Sequence, residues 1–317
     1  MLNILLGAVA LGLLWSMATL GVYMTYRVLD VADLTVEGSI VLGASVAAVI
    51  IQQGGNPLKA TLAAMAAGMA AGLATGLLHT LLKIPSLLAG ILSMIALYSI
   101  NIRVMLGTSN IPLLRLRTVF SYLQGAGLSK NQSAMLTGGA FAGLAIAAVY
   151  WFLGTELGCA LRATGNSPQM ARAQGIDTDA GKLLGYVLAN GLVGLSGGLI
   201  AQYLGFSDVQ MGSGSIVIAL ASLIIGEVVF ARSGGRLRAL CAMVLGSVAY
   251  RLIIALVFEA GMPATDLKLF TALTVAAALY LPTAKQQVGQ KLSQRKEAKQ
   301  RAEHPRTLQD LGKGHNG

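Results

Sequence analysis

Nine long apolar segments, nearly free of charged residues, constrain the fold of this 317-residue chain more than any other feature. A helix that crosses a lipid bilayer needs about 20 mostly apolar residues, and these segments approach or reach that length. They are residues 3–25, 35–52, 60–82, 84–102, 133–153, 183–204, 213–230, 237–257 and 267–282. Because the last segment is short and the second contains Glu37, eight or ten spans remain open. The sequence therefore predicts an all-α, polytopic transmembrane helical bundle of about nine spans.

Charge is scarce and unevenly placed along the chain. Charged residues make up only 11% of it, whereas a soluble domain has about 25%. So few charges do not cover a water-soluble surface, which argues against a soluble enzyme or a nucleic-acid-binding domain. Residues 285–317 carry eight basic and three acidic side chains. This segment therefore contributes half of the formal net charge of +10. Such a basic tail is typical of the cytoplasmic side of a membrane rather than of a nucleic-acid site.

The distribution of Lys and Arg predicts the orientation of the chain. With nine spans and the tail inside, 16 basic residues face the cytoplasm and six face the exterior. The N-terminus is then outside and the C-terminus is in the cytoplasm, with the chain in the inner (plasma) membrane. We divide the chain into a transmembrane domain, 1–284, and a cytoplasmic tail, 285–317. The tail is expected to be disordered or a loose surface helix.

Glycines spaced four residues apart predict close packing between several helices. The spacing occurs at Gly68, Gly72 and Gly76, and in the pairs Gly139/Gly143, Gly181/Gly185 and Gly194/Gly198.

One short sequence recurs, as Gly38-Ser39-Ile40-Val41 and Gly214-Ser215-Ile216-Val217, and each copy opens an apolar helix. In the predicted orientation the two helices run in opposite directions, as an inverted internal repeat requires. Chance recurrence in a chain rich in these residue types is the alternative interpretation.

The segment 103–132 lies outside in this topology. Its apolar patches, residues 111–116 and 119–123, predict a short helix on the outer face.

Residues 155–182 form the longest predicted cytoplasmic loop before the tail, and they read as two short helices. The first continues the preceding span from Thr155 and ends at Gly165. Asn166-Ser167-Pro168 then gives a capping residue followed by proline in the first turn, which is a strong helix start. Gly175 supplies the left-handed stop. Such a stub is either a docking element or an ordinary connection, and local physics favours neither.

Motifs for energy conversion and catalysis are absent from the sequence. It contains no G-x-x-x-x-G-K-[ST] motif, so the chain is not expected to bind ATP phosphates itself. The chain is accordingly expected to be no enzyme and to bind no metal or other cofactor. Cys159 and Cys241 have no metal-ligand spacing and form no disulfide framework.

The loop carries a resemblance to a known family. Gly158-x-x-Leu161-Arg162-Ala163-x-Gly165-Asn166, followed by Ala171-Arg172-Ala173-x-Gly175-Ile176-Asp177, resembles the cytoplasmic loop of permease subunits of ATP-binding-cassette importers of the branched-chain amino acid and ribose class. The glycine run 191–198 and the stretch 29–44 fit the same pattern. The resemblance covers roughly residues 5–282 and leaves out the tail.

The resemblance implies a division of labour between subunits. Two permease chains would form the pathway; a homodimer is expected, and pairing with a sister chain is the alternative. The expected solute is an amino acid or a small related compound, and a sugar or a nucleoside is the alternative. Two ATPase subunits would hold ATP and Mg²⁺, and an extracytoplasmic binding protein would deliver the solute. It also implies a loop helix that couples the permease to the ATPase. That role falls on Arg162, Gly165, Asn166, Ser167, Pro168, Met170, Ala171, Arg172, Ala173 and Gly175. Arg162 and Arg172 either pair with acidic groups on the ATPase or anchor at phospholipid headgroups.

Polar residues inside spans are the candidates for the translocation pathway. They are Glu37, Ser39, Ser213, Ser215 and Arg251. For Arg251 we expect a structural ion pair rather than a solute contact, and the candidate partners are Glu37, Asp208, Glu227 and Glu259.

Two other functions are the alternatives to the importer subunit. A stand-alone secondary carrier or channel would need an ion-coupling site, and the sequence shows no relay of Asp, Glu and His in its spans. A structural membrane protein would need neither the capped loop nor the repeated tetrad.

Overall fold

A computed structural model describes residues 2–125, 127–230 and 235–259, and beyond them residues 261, 266, 269, 271–273 and 276. Apart from those few residues, the predicted ninth segment, 267–282, and the tail, 285–317, lie outside the described chain. The elements given below belong to the unit Met1–Val275.

The described part of the chain is almost entirely helical. Its helices are α1 (Leu2–Val22), α2 (Thr35–Gln52), α3 (Pro57–Thr80), α4 (Ser86–Val104), α5 (Val119–Gln124), α6 (Lys130–Gly154), α7 (Glu156–Asn166), α8 (Pro168–Ala173), α9 (Thr178–Leu204), α10 (Ser215–Phe230) and α11 (Arg236–Glu259). A π-helix, Tyr23–Val28, continues α1. Two short strands, β1 (Asn110–Pro112) and β2 (Phe206–Asp208), complete the described elements.

Eight of the nine predicted apolar segments correspond to these helices. Seven of the described helices are long and apolar enough to cross a membrane: α1 with its π-helical end, α2, α3, α4, α6, α9 and α11. The shorter apolar helix α10, with 16 residues, corresponds to the predicted segment 213–230. The prediction of an all-α transmembrane bundle is confirmed, and the span count of nine remains approximate.

Helix α9 is the centre of the fold and packs against α1, α2 and α3. Glycines, which have no side chain, let these helices approach closely. A Cβ on Gly72 would overlap the carbonyl oxygen of Tyr186, and one on Gly68 would overlap that of Asn190. In α2, Gly43 lies in the same way against the backbone of Gly194. The prediction of glycine-mediated packing is therefore confirmed for the α2–α9 and α3–α9 contacts.

The same glycine spacing in α6 has a different environment. A Cβ added to Gly139 or Gly143 would meet no described atom within 4 Å. Close helix packing was predicted for this pair, and within the described chain that prediction is wrong. The spacing alone does not tell a packed glycine face from an open one.

The structure of the segment 103–132 also differs from the prediction. Ile111 and Pro112 lie in β1, which pairs antiparallel with β2, so that Ile111 is opposite Ser207. The predicted short helix is α5, which covers only the second apolar patch. The first patch forms a strand because its backbone pairs with a strand more than 90 residues away in the chain.

A break separates α1 from α2. Asp30 adopts a left-handed conformation, with φ of 56°, which Asp tolerates better than most residues. Asp33, only 2% exposed, accepts a hydrogen bond from the backbone N–H of Thr35 at 3.0 Å. This side chain satisfies one of the free N–H groups at the start of α2.

Candidate functional site

The predicted loop 155–182 begins with a break rather than a continuous helix. Helix α6 ends at Gly154, and Thr155 is extended, with ψ of 167°. Its Oγ1 accepts a hydrogen bond from the N–H of Gly158 at 3.3 Å and so caps α7. The prediction that the preceding span runs on through Thr155 is wrong, because the threonine acts as an N-cap.

The sequence predicted that the first helix of the loop ends at Gly165. Helix α7 instead continues to Asn166. A Cβ on Gly165 would overlap the carbonyl oxygen of Val28, the last residue of the π-helix. Gly165 thus allows the backbone of α7 to approach the backbone of the π-helix closely, and it does not form a left-handed turn.

The predicted stub, in contrast, is confirmed as helix α8. Ser167 is its N-cap, with its Oγ accepting from the N–H of Met170 at 3.4 Å, and Pro168 occupies the first turn. Gly175 has φ of 81° and provides the left-handed stop.

The exposed surface of α8 differs from the predicted set in one residue. Met170 is 65% exposed, and Pro168 and Ala173 are exposed with it. Ala171 is only 2% exposed and faces inward. Ala171 therefore holds the stub in place, and the surface offered to another molecule centres on Met170.

Both arginines of the loop have partners within the chain. Arg162 donates to the carbonyl oxygens of Leu153 at 3.1 Å and Gly158 at 3.3 Å. Arg172 donates to Thr178 Oγ1 at 2.7 Å and lies 3.3 Å from a carboxylate oxygen of Asp179. These contacts fix the loop against the ends of α6 and α9.

Three residues that reinforce the base of the loop were not found from the sequence. Lys83 Nζ lies 2.7 Å from Asp179, which also binds Arg172. Arg236 donates to the carbonyl oxygen of Leu153 at 3.1 Å, the same atom that Arg162 binds. Basic side chains are typical partners for the unpaired carbonyl groups at a helix C-terminus. This preference was the one available signal.

Two of the predicted pathway residues, Glu37 and Ser213, line one cavity of about 470 Å³. Residues of α2, residues of α4 and the segment 209–213 form its wall. Glu37 accepts a hydrogen bond from the N–H of Gly214 at 3.0 Å. The repeated tetrads thus begin beside each other, while an inverted repeat stays a prediction.

The other three predicted residues lie elsewhere. Ser39 is fully buried and donates to Asn190 Oδ1 at 2.7 Å. Ser215 is 1% exposed, and its Oγ has no hydrogen-bond partner among the described residues. Arg251 lies over the ring of Trp15, 4.5 Å from its centroid, in a cation–π contact. None of these side chains lines the cavity around Glu37.

Among the described residues, Arg251 forms no ion pair with Glu37, Asp208 or Glu227, three of its four candidate partners. Glu37 binds Gly214, and Asp208 accepts from Asn110 at 3.2 Å. Glu227 lies 2.9 Å from Arg27. The aromatic contact with Trp15 takes the place of these ion pairs, because an aromatic face also stabilises a desolvated cation.

A buried polar network centres on Asn190 of α9, which the sequence analysis missed. Asn190 donates to Asp33 Oδ2 at 2.7 Å and accepts from Ser39. Burial raises the pKa of the Asp33 carboxyl, and hydrogen bonds from Thr35 and Asn190 oppose that rise. An amide within the apolar run of α9 was the signal, since polar groups inside a bundle need partners.

Comparisons with known proteins agree on one family. A family model described as branched-chain amino acid transport system, permease component, matches residues 4–280. A tyrosine transport system permease protein of Clostridioides difficile (strain R20291) is 39% identical over 267 residues, covering 84% of this chain and 87% of the relative. An uncharacterised protein of Rickettsia prowazekii (strain Madrid E) is 31% identical over 281 residues, covering 88% and 97%. No solved structure matches the chain.

Proposed function

Because the chain belongs to the family of branched-chain amino acid transport permease components, and is a permease subunit of an ATP-binding-cassette importer, we propose that it conducts an amino acid or a related small solute. It is a multi-pass membrane protein. Such transport systems work in general with ATPase subunits and a solute-binding protein, and their permease subunits are not themselves enzymes.

Energy reaches the permease through α8 in this proposal. The observation that carries it is a capped, two-turn helix whose exposed apolar residue, Met170, projects from a firmly anchored base. The anchoring runs through Gly165 to Val28 and through Arg172 to the buried Thr178. A push on α8 is therefore passed to α1 and α9 rather than absorbed by a loose loop. ATP and Mg²⁺ stay on the partner subunit.

The pathway in this proposal runs along the cavity that Glu37 and Ser213 line. A volume of about 470 Å³ lies within the range of about 300–1,000 Å³ for small-molecule sites. A second copy of the chain completes the conduit as a homodimer. The relative from Clostridioides difficile is named a tyrosine permease, which supports an amino acid as the solute. A binding protein outside the membrane delivers it.

The orientation follows from the basic residues. We place the N-terminus outside, and α8 and the tail 285–317 in the cytoplasm, with the chain in the inner membrane. The bias of Lys and Arg toward one side supports this arrangement.

Reconstitution tests the function. The permease is co-purified with its ATPase and its binding protein, placed in liposomes, and assayed for uptake of radiolabelled tyrosine. We expect uptake that requires ATP and that stops when the P-loop lysine of the ATPase is replaced. Uptake by the permease alone, driven by an ion gradient, would instead identify a secondary carrier.

Labelling from one side of the membrane tests the orientation. Cys159 and Cys241 are both exposed and are first replaced by serine. Met170→Cys and Leu114→Cys then give two well-exposed positions, 65% and 75% in the parent residues. An impermeant maleimide added to intact cells should label position 114 but reach position 170 only after permeabilisation. The reverse pattern would refute the assignment of α8 to the cytoplasm.

A further inference from the structure

The cavity beside α2 carries one charged side chain among the described residues that line it. Its lining comes from α2, from α4 and from the segment 209–213. Glu37 is the charged residue in that set. Its Oε1 accepts from the N–H of Gly214 at 3.0 Å, and no described residue forms an ion pair with it. A negative group therefore faces a cavity that no cation of the described chain neutralises.

Asn101 adds a second acceptor to the same cavity. Its side chain is 1% exposed, and its Nδ2 donates to the carbonyl oxygen of Gly38 at 3.2 Å. That bond fixes the amide, because only the nitrogen can donate to a carbonyl group. The other amide atom, Oδ1, is buried and has no hydrogen-bond partner in the described chain. Buried polar atoms are almost always paired, and since Asn101 belongs to the lining of the cavity, a donor group of a ligand there would satisfy this oxygen.

Tyr98 lies one turn before Asn101 in α4. It is 55% exposed and lines the cavity. An aromatic ring attracts an ammonium group through its negative face. A carboxylate, an unpaired amide and an aromatic side chain thus belong to residues that line one volume.

This set of groups selects one ligand chemistry. A primary ammonium carries a positive charge and three N–H donors, which match the two acceptors and the ring. A divalent metal is a poor fit, because Ca²⁺ takes 6–8 oxygen ligands and Mg²⁺ an octahedral shell. An anion would be repelled by Glu37.

We propose that this cavity is a recognition site for the ammonium group of the transported solute, with Glu37 and Asn101 as its hydrogen-bond acceptors. The permease then selects amines itself and does not leave all discrimination to its binding protein. This assignment rests on the proposed function, because it names the class of solute that passes through the pathway.

A chemical probe tests the charge preference of the cavity without requiring transport. The probes are a cationic and an anionic methanethiosulfonate of similar size, applied to the assembled transporter in liposomes. Ser213, exposed on the cavity wall, is replaced by cysteine in a background without Cys159 and Cys241. Leu114→Cys, outside the cavity, gives the reference ratio of the two rates.

We expect the cationic reagent to react at position 213 about tenfold faster than the anionic one, relative to position 114, since a cleft of one charge concentrates counter-ions at least that much. Adding Glu37→Gln should remove this preference. Asp30→Asn is the matched control, because Asp30 is exposed and does not line the cavity, and it should leave the preference intact. An unchanged preference in Glu37→Gln overturns the proposal.

A second measurement needs no change at Glu37, in case that variant fails to fold. Tyramine and 3-(4-hydroxyphenyl)propionate share a phenol ring, and the first carries an ammonium where the second carries a carboxylate. Tyramine should slow labelling of Ser213→Cys severalfold more than the propionate does. Equal protection overturns the ammonium site. Either result leaves ATP-driven tyrosine uptake as a separate test, so the two proposals fail independently.

Discussion

Gly165 of α7 lies directly against the carbonyl oxygen of Val28, where the π-helix that ends the first span meets the loop. The contact leaves no room for a side chain. The contact joins the loop that carries α8, the helix proposed to meet the ATPase, to the end of the first transmembrane helix. A few residues after Val28 the chain enters α2, which contains Glu37.

Replacing Gly165 with valine should disrupt this contact. Overpacking of this kind costs about 1–3 kcal/mol of stability, and it should lower the melting temperature of the purified protein and reduce ATP-driven uptake. Gly139→Val is the matched control, because a Cβ there meets no described atom within 4 Å. Equal melting temperatures for the two variants would contradict the close contact between Gly165 and Val28.

Met170→Glu should separate docking from folding. The side chain is 65% exposed, so glutamate does not disturb the interior. It should nevertheless weaken co-purification of the ATPase, because an apolar contact would then bury a charge. Leu114→Glu, at a leucine that is 75% exposed, should retain the ATPase. Undiminished co-purification with Met170→Glu would show that the ATPase binds elsewhere.

Asn190→Leu should destabilise the protein strongly. The change leaves Asp33 Oδ2 and the hydroxyl of Ser39 without their partner, at a cost of about 1–3 kcal/mol for each unsatisfied buried group. Asn110 also donates to a carboxylate, that of Asp208, but from an exposed position. Asn110→Leu should therefore change stability by about 0.5 kcal/mol or less. Thermal unfolding in detergent compares the two, and similar shifts would refute the importance of the buried network.

The ion pair between Arg27 and Glu227 should contribute little despite its 2.9 Å separation. Its side chains are 61% and 30% exposed, and pairs of this kind contribute about 0–1 kcal/mol. A double-mutant cycle with Arg27→Ala and Glu227→Ala measures the coupling, which should decrease further as salt is added. A coupling energy of several kcal/mol would mean that water does not reach this pair.

The span positions were predictable because membrane helices must be long and apolar, which a local pattern reveals. Capping chemistry is equally local, so the start of α8 at Ser167 and its stop at Gly175 were found as well. Strand β1 was not, since it depends on a partner at residues 206–208.

Side-chain direction was the other gap between sequence and structure. Helix α8 has only six residues, too few for a periodicity that distinguishes the buried Ala171 from the exposed Met170. The pathway candidates were chosen for polarity within spans. Polarity does not separate a residue that lines a cavity, such as Glu37, from one satisfied inside the bundle, such as Ser39.

The bond between Asp33 and Asn190 has a consequence for the depth at which the chain is interrupted. Asn190 is near the middle of α9, a helix of 27 residues that rises about 40 Å. Its partner Asp33 lies between α1 and α2, so this irregular backbone is far from either end of α9. Non-helical backbone at membrane depth survives only inside protein or beside a hydrated volume. Because Asp33 is only 2% exposed, protein rather than lipid surrounds this interruption.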